Sequence, residues 1–209
     1  MINYDELKNI KREIALYPNS SLLLVTKNRP KELVDILIQE GFKLFGENRV
    51  QEAEMKFREI IDSDINLHLI GPLQTNKVKM ALNLFDTIQS IDRSKLVREI
   101  AKNLKILPQP KTREFFIQIN IGYEEQKSGV KPEDVKPLYD LSLSHELNIS
   151  GFMCIPPDNE DPKTYFEKMD NIRNSINPHI KLSMGMSNDY QVALECNSNL
   201  VRIGSRIFK

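Results

Sequence analysis

Short apolar runs recur along the chain, each followed by a polar or glycine-bearing turn and then by a segment with helical spacing. The runs are Leu22 to Lys27, Leu44 to Glu47, Leu67 to Gly71, Thr87 to Asp92, Phe115 to Asn120, Ile149 to Cys154, Leu182 to Gly185 and Leu200 to Ser205. Read as strands alternating with helices, they predict repeated βα units, and about eight such units is the number that closes a parallel barrel. The predicted fold is therefore a single α/β domain over residues 1–209, a (β/α)8 TIM barrel. An open doubly wound sheet is the alternative, because strand periodicity alone does not distinguish closure from an open edge. The even spacing favours the barrel.

The intervening segments carry helix signals. Leu33, Ile36 and Leu37 share a face ahead of Gly41, and Val78, Leu82 and Phe85 do so after the third strand. After the fourth strand, Asp92 or Ser94 is placed to cap a helix bearing Leu96, Ile100 and Leu104. Pro132 suits a first helical turn, but Pro137 follows closely, which predicts a kink or a late start. Leu7, Ile10 and Ile14, with Pro18 beyond, predict a helix before the first strand, placed to lid the barrel's N-terminal end.

Composition narrows the functional classes. The 29 Lys+Arg balance 29 Asp+Glu, so no global basic field draws the chain to nucleic acid or an anionic membrane. The polar N-terminus and the absence of a run approaching ~20 apolar residues predict a cytoplasmic protein without a signal peptide or membrane span. Cys154 and Cys196 lie far apart in no metal-ligand spacing, which favours buried thiols over a disulfide or zinc site.

A parallel sheet presents its chemistry at the carboxyl ends of its strands. The first run ends in Val25-Thr26-Lys27, which puts an amine at an apolar mouth where desolvation would free a neutral nucleophile; a surface lysine is the plainer reading. The last two runs end in Ser183-Met184-Gly185-Met186-Ser187 and Arg202-Ile203-Gly204-Ser205, small residues able to close on a phosphate, or simply ordinary turns. An amine on one strand and a phosphate cradle on two others match a ligand bearing an aldehyde and a phosphate, as pyridoxal 5′-phosphate does. Alternation turns Arg202 to the same side as Gly204, where it either pairs with a carboxylate such as Glu47 or donates to a pyridine nitrogen. Asn48 either offers its amide at the mouth or caps a helix. His68 reads as a core histidine, Met153, Met184 and Met186 as packing, and the Lys77/Lys79 and Lys127/Lys131 charges as solvated faces.

At these residues the sequence closely resembles the family of pyridoxal phosphate homeostasis proteins, whose fold is similar to the N-terminal barrel of bacterial alanine racemase. The resemblance runs through Val25-Thr26-Lys27, Phe45 to Glu52, His68 to Lys77, Ser90 to Arg93, Lys127-Ser128-Gly129, Ser183 to Ser187 and Val201 to Gly204. It implies a Schiff base between the cofactor and Lys27, Asn48 nearby, Ser187 with Gly204 and Ser205 around the phosphate, and Arg202 at the pyridine nitrogen. It also implies a monomeric, non-catalytic carrier or regulator of pyridoxal phosphate, with apo-enzymes that require the cofactor as recipients. A racemase-like enzyme is the second reading, and an aldolase-type amine acting on a sugar phosphate the third. Three departures from the family pattern stand out, one being Phe208-Lys209, where the resemblance leads one to expect a glycine and a short tail. Leu67 replaces an aromatic before His68, which predicts an altered strand-three wall, and Cys196-Asn197-Ser198-Asn199 replaces a glycine-containing turn, where Asn tolerates the left-handed conformation.

Overall fold

The computed structural model describes residues 1–60 and 64–208. Eight parallel strands close into a barrel in chain order, with β8 hydrogen-bonded back to β1. The strands are β1 Ser21–Val25, β2 Leu44–Glu47, β3 Asn66–Leu69, β4 Thr87–Ile91, β5 Glu114–Ile119, β6 Ile149–Cys154, β7 Lys181–Ser183 and β8 Leu200–Ile203. Closure excludes the open doubly wound sheet.

Strand alternation divides the apolar residues into two populations. Leu24, Phe45, Leu67, Leu69, Ile88, Ile117, Phe152, Leu182, Val201 and Ile203 belong to the large core shared with the helices. Leu67 is thus part of the outer layer, and the loss of an aromatic there leaves the inner wall unchanged. Inside the barrel, Leu23 and Val25 pack with Ile70, and Phe116 and Met153 with Leu200. Of these, Val25 and Ile70 line the cavity at the strands' carboxyl ends. Burying each large apolar side chain stabilises the barrel by about 1.5–3 kcal/mol.

The outer ring holds α1 Tyr4–Ile14, α2 Lys31–Gln39, α3 Val50–Phe57, α4 Val78–Leu84, α5 Ser94–Ile106, α6 Val135–Ser144, α7 Pro162–Ile176 and α8 Tyr190–Glu195. In α4 the stripe of Val78, Leu82 and Phe85 is buried as its spacing implies. In α2 the helix instead turns Val34 and Leu37 inward and leaves Ile36 exposed, since Val34 and Ile38 widen the apolar stripe beyond one face and put Ile36 at its outer edge. Neither Asp92 nor Ser94 caps α5; Arg93 holds that position without a side-chain bond. A 3-10 turn over Pro132–Asp134 precedes α6, so Pro137 falls in the first α-helical turn, where its missing N–H costs no bond.

The opening helix does not lid the barrel. Glu13 of α1 accepts from the Tyr190 hydroxyl (2.7 Å) and Gln191 (2.8 Å) of α8, while Tyr4 reaches Glu40 beside α2 and Lys11 lies over Phe42. Helix α1 therefore fills the place on the ring between α8 and α2. Asn197 takes φ +64°, the left-handed conformation its substitution for glycine requires, and Ser198 donates to the Met184 carbonyl at 2.7 Å. No described helix is long and apolar enough to cross a membrane.

Candidate functional site

A cavity of about 600 Å³ opens at the carboxyl end of the barrel, and Lys27, Asn48, Ser187, Arg202, Gly204 and Ser205 all line it. The sequence places these residues on four different strand–loop junctions; closure of the barrel brings them to one mouth.

Lys27 sits on the turn two residues past β1 and is exposed. This corrects the expectation of an amine desolvated by an apolar tube: the ladder ends at Val25, and the turn carries Lys27 out to the rim. Its amine makes no hydrogen bond or ion pair among the described residues. Lys127, read from sequence as a solvated charge, also lines the cavity, but its ammonium is committed to the Pro156 carbonyl (2.8 Å) and Glu124 (2.6 Å). The free amine at the mouth is that of Lys27.

Arg202 is only 4% exposed. Its Nη1 donates to the carbonyl (2.6 Å) and hydroxyl (3.0 Å) of Ser183, and its Nη2 to the Cys154 carbonyl (2.7 Å). No carboxylate pairs with it among the described residues, and Glu47 is engaged elsewhere, so the pairing weighed from sequence does not form. Burial pulls its pKa below the ordinary arginine value, yet a guanidinium keeps its proton in a protein. The result is a buried cation held by neutral acceptors at the wall of a cavity, an arrangement that favours an anionic or acceptor ligand.

The loop after β7 and the turn after β8 form a third group. Ser205 donates to Ser187 at 3.1 Å, Arg206 reaches the Ser187 carbonyl at 3.3 Å, and the Asp189 carboxylate accepts from Met186 N. Burial holds the Asp189 carboxyl above the usual carboxylate range. Gly204 permits the close approach of this turn to β1, since a Cβ there would stand 2.8 Å from the Val25 carbonyl oxygen. Small residues and hydroxyls give the two turns the character of an oxyanion cradle.

Asn48 faces the cavity and does not cap α3, whose N-cap is Arg49 without a side-chain bond. Its backbone lies against β3: a Cβ on Gly71 would meet Asn48 O at 2.2 Å. His68 is a core residue, hydrogen-bonded through Nδ1 to Gln89 at 2.6 Å, and burial, with a smaller contribution from Lys181, drives its pKa down to about 3. Gln118 was not anticipated from sequence. It lines the cavity, donates to the Ser128 carbonyl at 2.9 Å, and keeps a buried, unpartnered Oε1. Its place in the apolar run of β5 gave no signal of function.

A closed parallel barrel with an amine, a buried guanidinium and a serine-lined cradle at one mouth defines a protein class: the pattern of the family described as "Alanine racemase, N-terminal domain" matches residues 2–209. The pyridoxal phosphate homeostasis protein of Aquifex aeolicus is 38% identical over 90% of this chain and 86% of its own length. That of Helicobacter pylori is 35% identical over the same shares. The chain belongs to the pyridoxal phosphate homeostasis protein family. Among solved structures, PipY of Synechococcus elongatus, determined with PLP bound, superposes with a TM-score of 0.83 at 29% identity, covering 98% of this chain and 99% of that one. The same protein without PLP gives 0.86 at equal identity and coverage. An alanine racemase of Clostridium difficile shares the fold, with a TM-score of 0.73 at 16% identity over 60% of its length.

Proposed function

We propose that this protein binds pyridoxal 5′-phosphate and serves in its homeostasis, holding the cofactor through a Schiff base on Lys27 without sustained turnover. The relatives' names and the PLP-bound PipY structure support the choice of ligand. The observation that carries it is the pairing at one cavity of an unengaged lysine amine with a buried arginine that lacks a carboxylate. Lys27 supplies the amine for the aldehyde, and Ser187, Gly204 and Ser205 supply hydroxyl and N–H donors for the phosphate. Asn48 borders the ring, and Arg202 donates to its pyridine nitrogen. When bound, the cofactor supplies an electron-withdrawing ring. Because Arg202 retains its own proton, that nitrogen stays unprotonated and the ring is a weak electron sink, which is the chemical argument for holding over turnover. We place this activity in the cytoplasm, with apo-enzymes needing the cofactor as recipients and the protein acting as a monomer.

The test is the absorbance spectrum of the purified protein, with and without added pyridoxal phosphate, before and after borohydride reduction, followed by mapping of the modified peptide. A reduced adduct on Lys27 is the expected result. A protein that stays colourless and takes up no cofactor overturns the reading. Racemisation or transamination of amino acids at useful rates, followed by mass spectrometry, would overturn the non-catalytic part and favour a racemase-like enzyme.

A further inference from the structure

Lys56 lies in α3, away from the cavity lining, and is only 6% exposed. Its ammonium donates to the Thr26 carbonyl (2.7 Å), to Glu47 Oε1 (2.9 Å) and to Glu52 Oε1 (2.6 Å). The Thr26 hydroxyl donates to the same Glu47 oxygen at 2.7 Å, and Glu52 accepts from the backbone N–H of Asn28. The residues immediately before and after Lys27 are thus both tied to one buried cluster, Thr26 directly and Asn28 through Glu52. Lys27 itself takes no part in it.

The tether matters because of where the β-ladder stops. The bond from Thr26 N to Gly46 O (3.1 Å) is the last that β1 makes to β2, and Asn28 then turns through φ +59°, a conformation rare outside glycine. Past Thr26, the path of the main chain is set by its bonds to the cluster and by the turn bond from Arg29 N to Thr26 O at 3.1 Å. A buried ammonium between two carboxylates carries a large desolvation cost, and a buried ion cluster gives little net stability over well-packed apolar residues. Orientation is what such a cluster can provide here.

We propose that Lys56 is a positioning residue for Lys27: by fixing Thr26 and Asn28 through Glu47 and Glu52, it aims the Lys27 amine into the cavity. This rests on the cofactor reading above. In the step concerned, the Lys27 nitrogen adds to the aldehyde carbon, a C=N bond forms and one water leaves, with no oxidant or reductant. The step depends on the direction of one flexible side chain, and a misplacement of about 1 Å costs on the order of a hundredfold in comparable reactions.

Two ligands separate positioning from folding. Pyridoxal 5′-phosphate forms the imine, whereas pyridoxine 5′-phosphate has the same ring and phosphate but an alcohol where the aldehyde would be. For Lys56→Met, the apparent affinity for pyridoxal phosphate, read from imine absorbance, should fall at least about tenfold, while pyridoxine phosphate affinity stays within about twofold. Because this substitution strands Glu47 as a buried, unpaired carboxylate, the neutral double variant Glu47→Gln with Lys56→Met is measured beside it. The double variant should fold, by circular dichroism, and show the same selective loss. Equal losses for both ligands in the folded double variant, or no loss for either, overturn the inference while the cofactor reading stands. A wild-type protein that forms no borohydride-fixable adduct overturns the cofactor reading, and this inference with it.

Discussion

Nη1 of Arg202 donates at once to the carbonyl and the hydroxyl of Ser183, at 2.6 and 3.0 Å, so a residue of β8 is oriented by its neighbour strand β7. Arg202→Met should remove these bonds and leave the Ser183 and Cys154 carbonyls buried without that donor, at about 1–3 kcal/mol for each group. The expected outcome is a urea midpoint well below wild type, with pyridoxal phosphate affinity lowered roughly tenfold by loss of the ring-nitrogen bond. Wild-type stability together with wild-type affinity would show that the guanidinium neither braces the barrel nor meets the ligand.

Lys27→Ala and the double variant Ser187→Ala with Ser205→Ala should fail in opposite ways. The first should lose the borohydride-fixable adduct yet keep much of the phosphate-anchored affinity, because the cradle belongs to the loops after β7 and β8. The second should still form the adduct at saturating cofactor but lose affinity by about 1.5–3 kcal/mol for each bond to the charged phosphate. Titration by absorbance reads both. Unchanged imine absorbance in Lys27→Ala would move the assignment to another lysine, with Lys127 the first to examine.

Gly204→Ala tests the seam between β8 and β1. The new Cβ would lie 2.8 Å from the Val25 carbonyl oxygen and 3.1 Å from Val25 Cβ, so backbone must move. A loss of about 1–3 kcal/mol in stability is expected from such overpacking, together with weaker cofactor binding. A variant with undiminished stability and binding would mean that the seam has room to spare.

His68 makes acid stability measurable at one residue. Burial and, less strongly, the charge of Lys181 hold its folded pKa at about 3, against an ordinary value of 6.5. As pH falls through 6.5 the unfolded chain takes up a proton that the folded chain refuses until about 3, so this residue's contribution to stability declines across that window. Urea unfolding between pH 7 and 4.5 should show a steeper loss for wild type than for His68→Gln. Parallel curves would show that the imidazole is charged in the folded barrel as well.

Much of this architecture is written in the alternation of apolar runs. The observed limits of β2 and β6 coincide with those read from sequence, whereas β4 and β5 end one residue early and β1, β3, β7 and β8 two. The cause is physical: Thr26, Ile70 and Met184 each still donate one N–H to the neighbouring strand, to Gly46, Glu47 and Leu200, but the ladder is not carried past them into the turn. The six candidate residues were legible because each stands at a strand end. Lys56 was not: Glu52 and Lys56 look like an ordinary i, i+4 surface pair, and only the packing of α3 against the β1 turn buries Lys56 and half-buries Glu52. The same limit hid Lys127, whose place in the cavity depends on the loop after β5 folding back over the barrel mouth.

The closure of β8 onto β1 has a consequence for biosynthesis. Lys27 leaves the ribosome long before Arg202, and the two reach a common cavity only when Leu23 pairs with Arg202 across the final seam. A nascent chain can build most of the helical ring and still lack the Arg202, Gly204 and Ser205 side of the cavity. On the function proposed above, cofactor capture belongs to the closed barrel alone, and a cell's pool of this protein would draw on free cofactor only as fast as chains close.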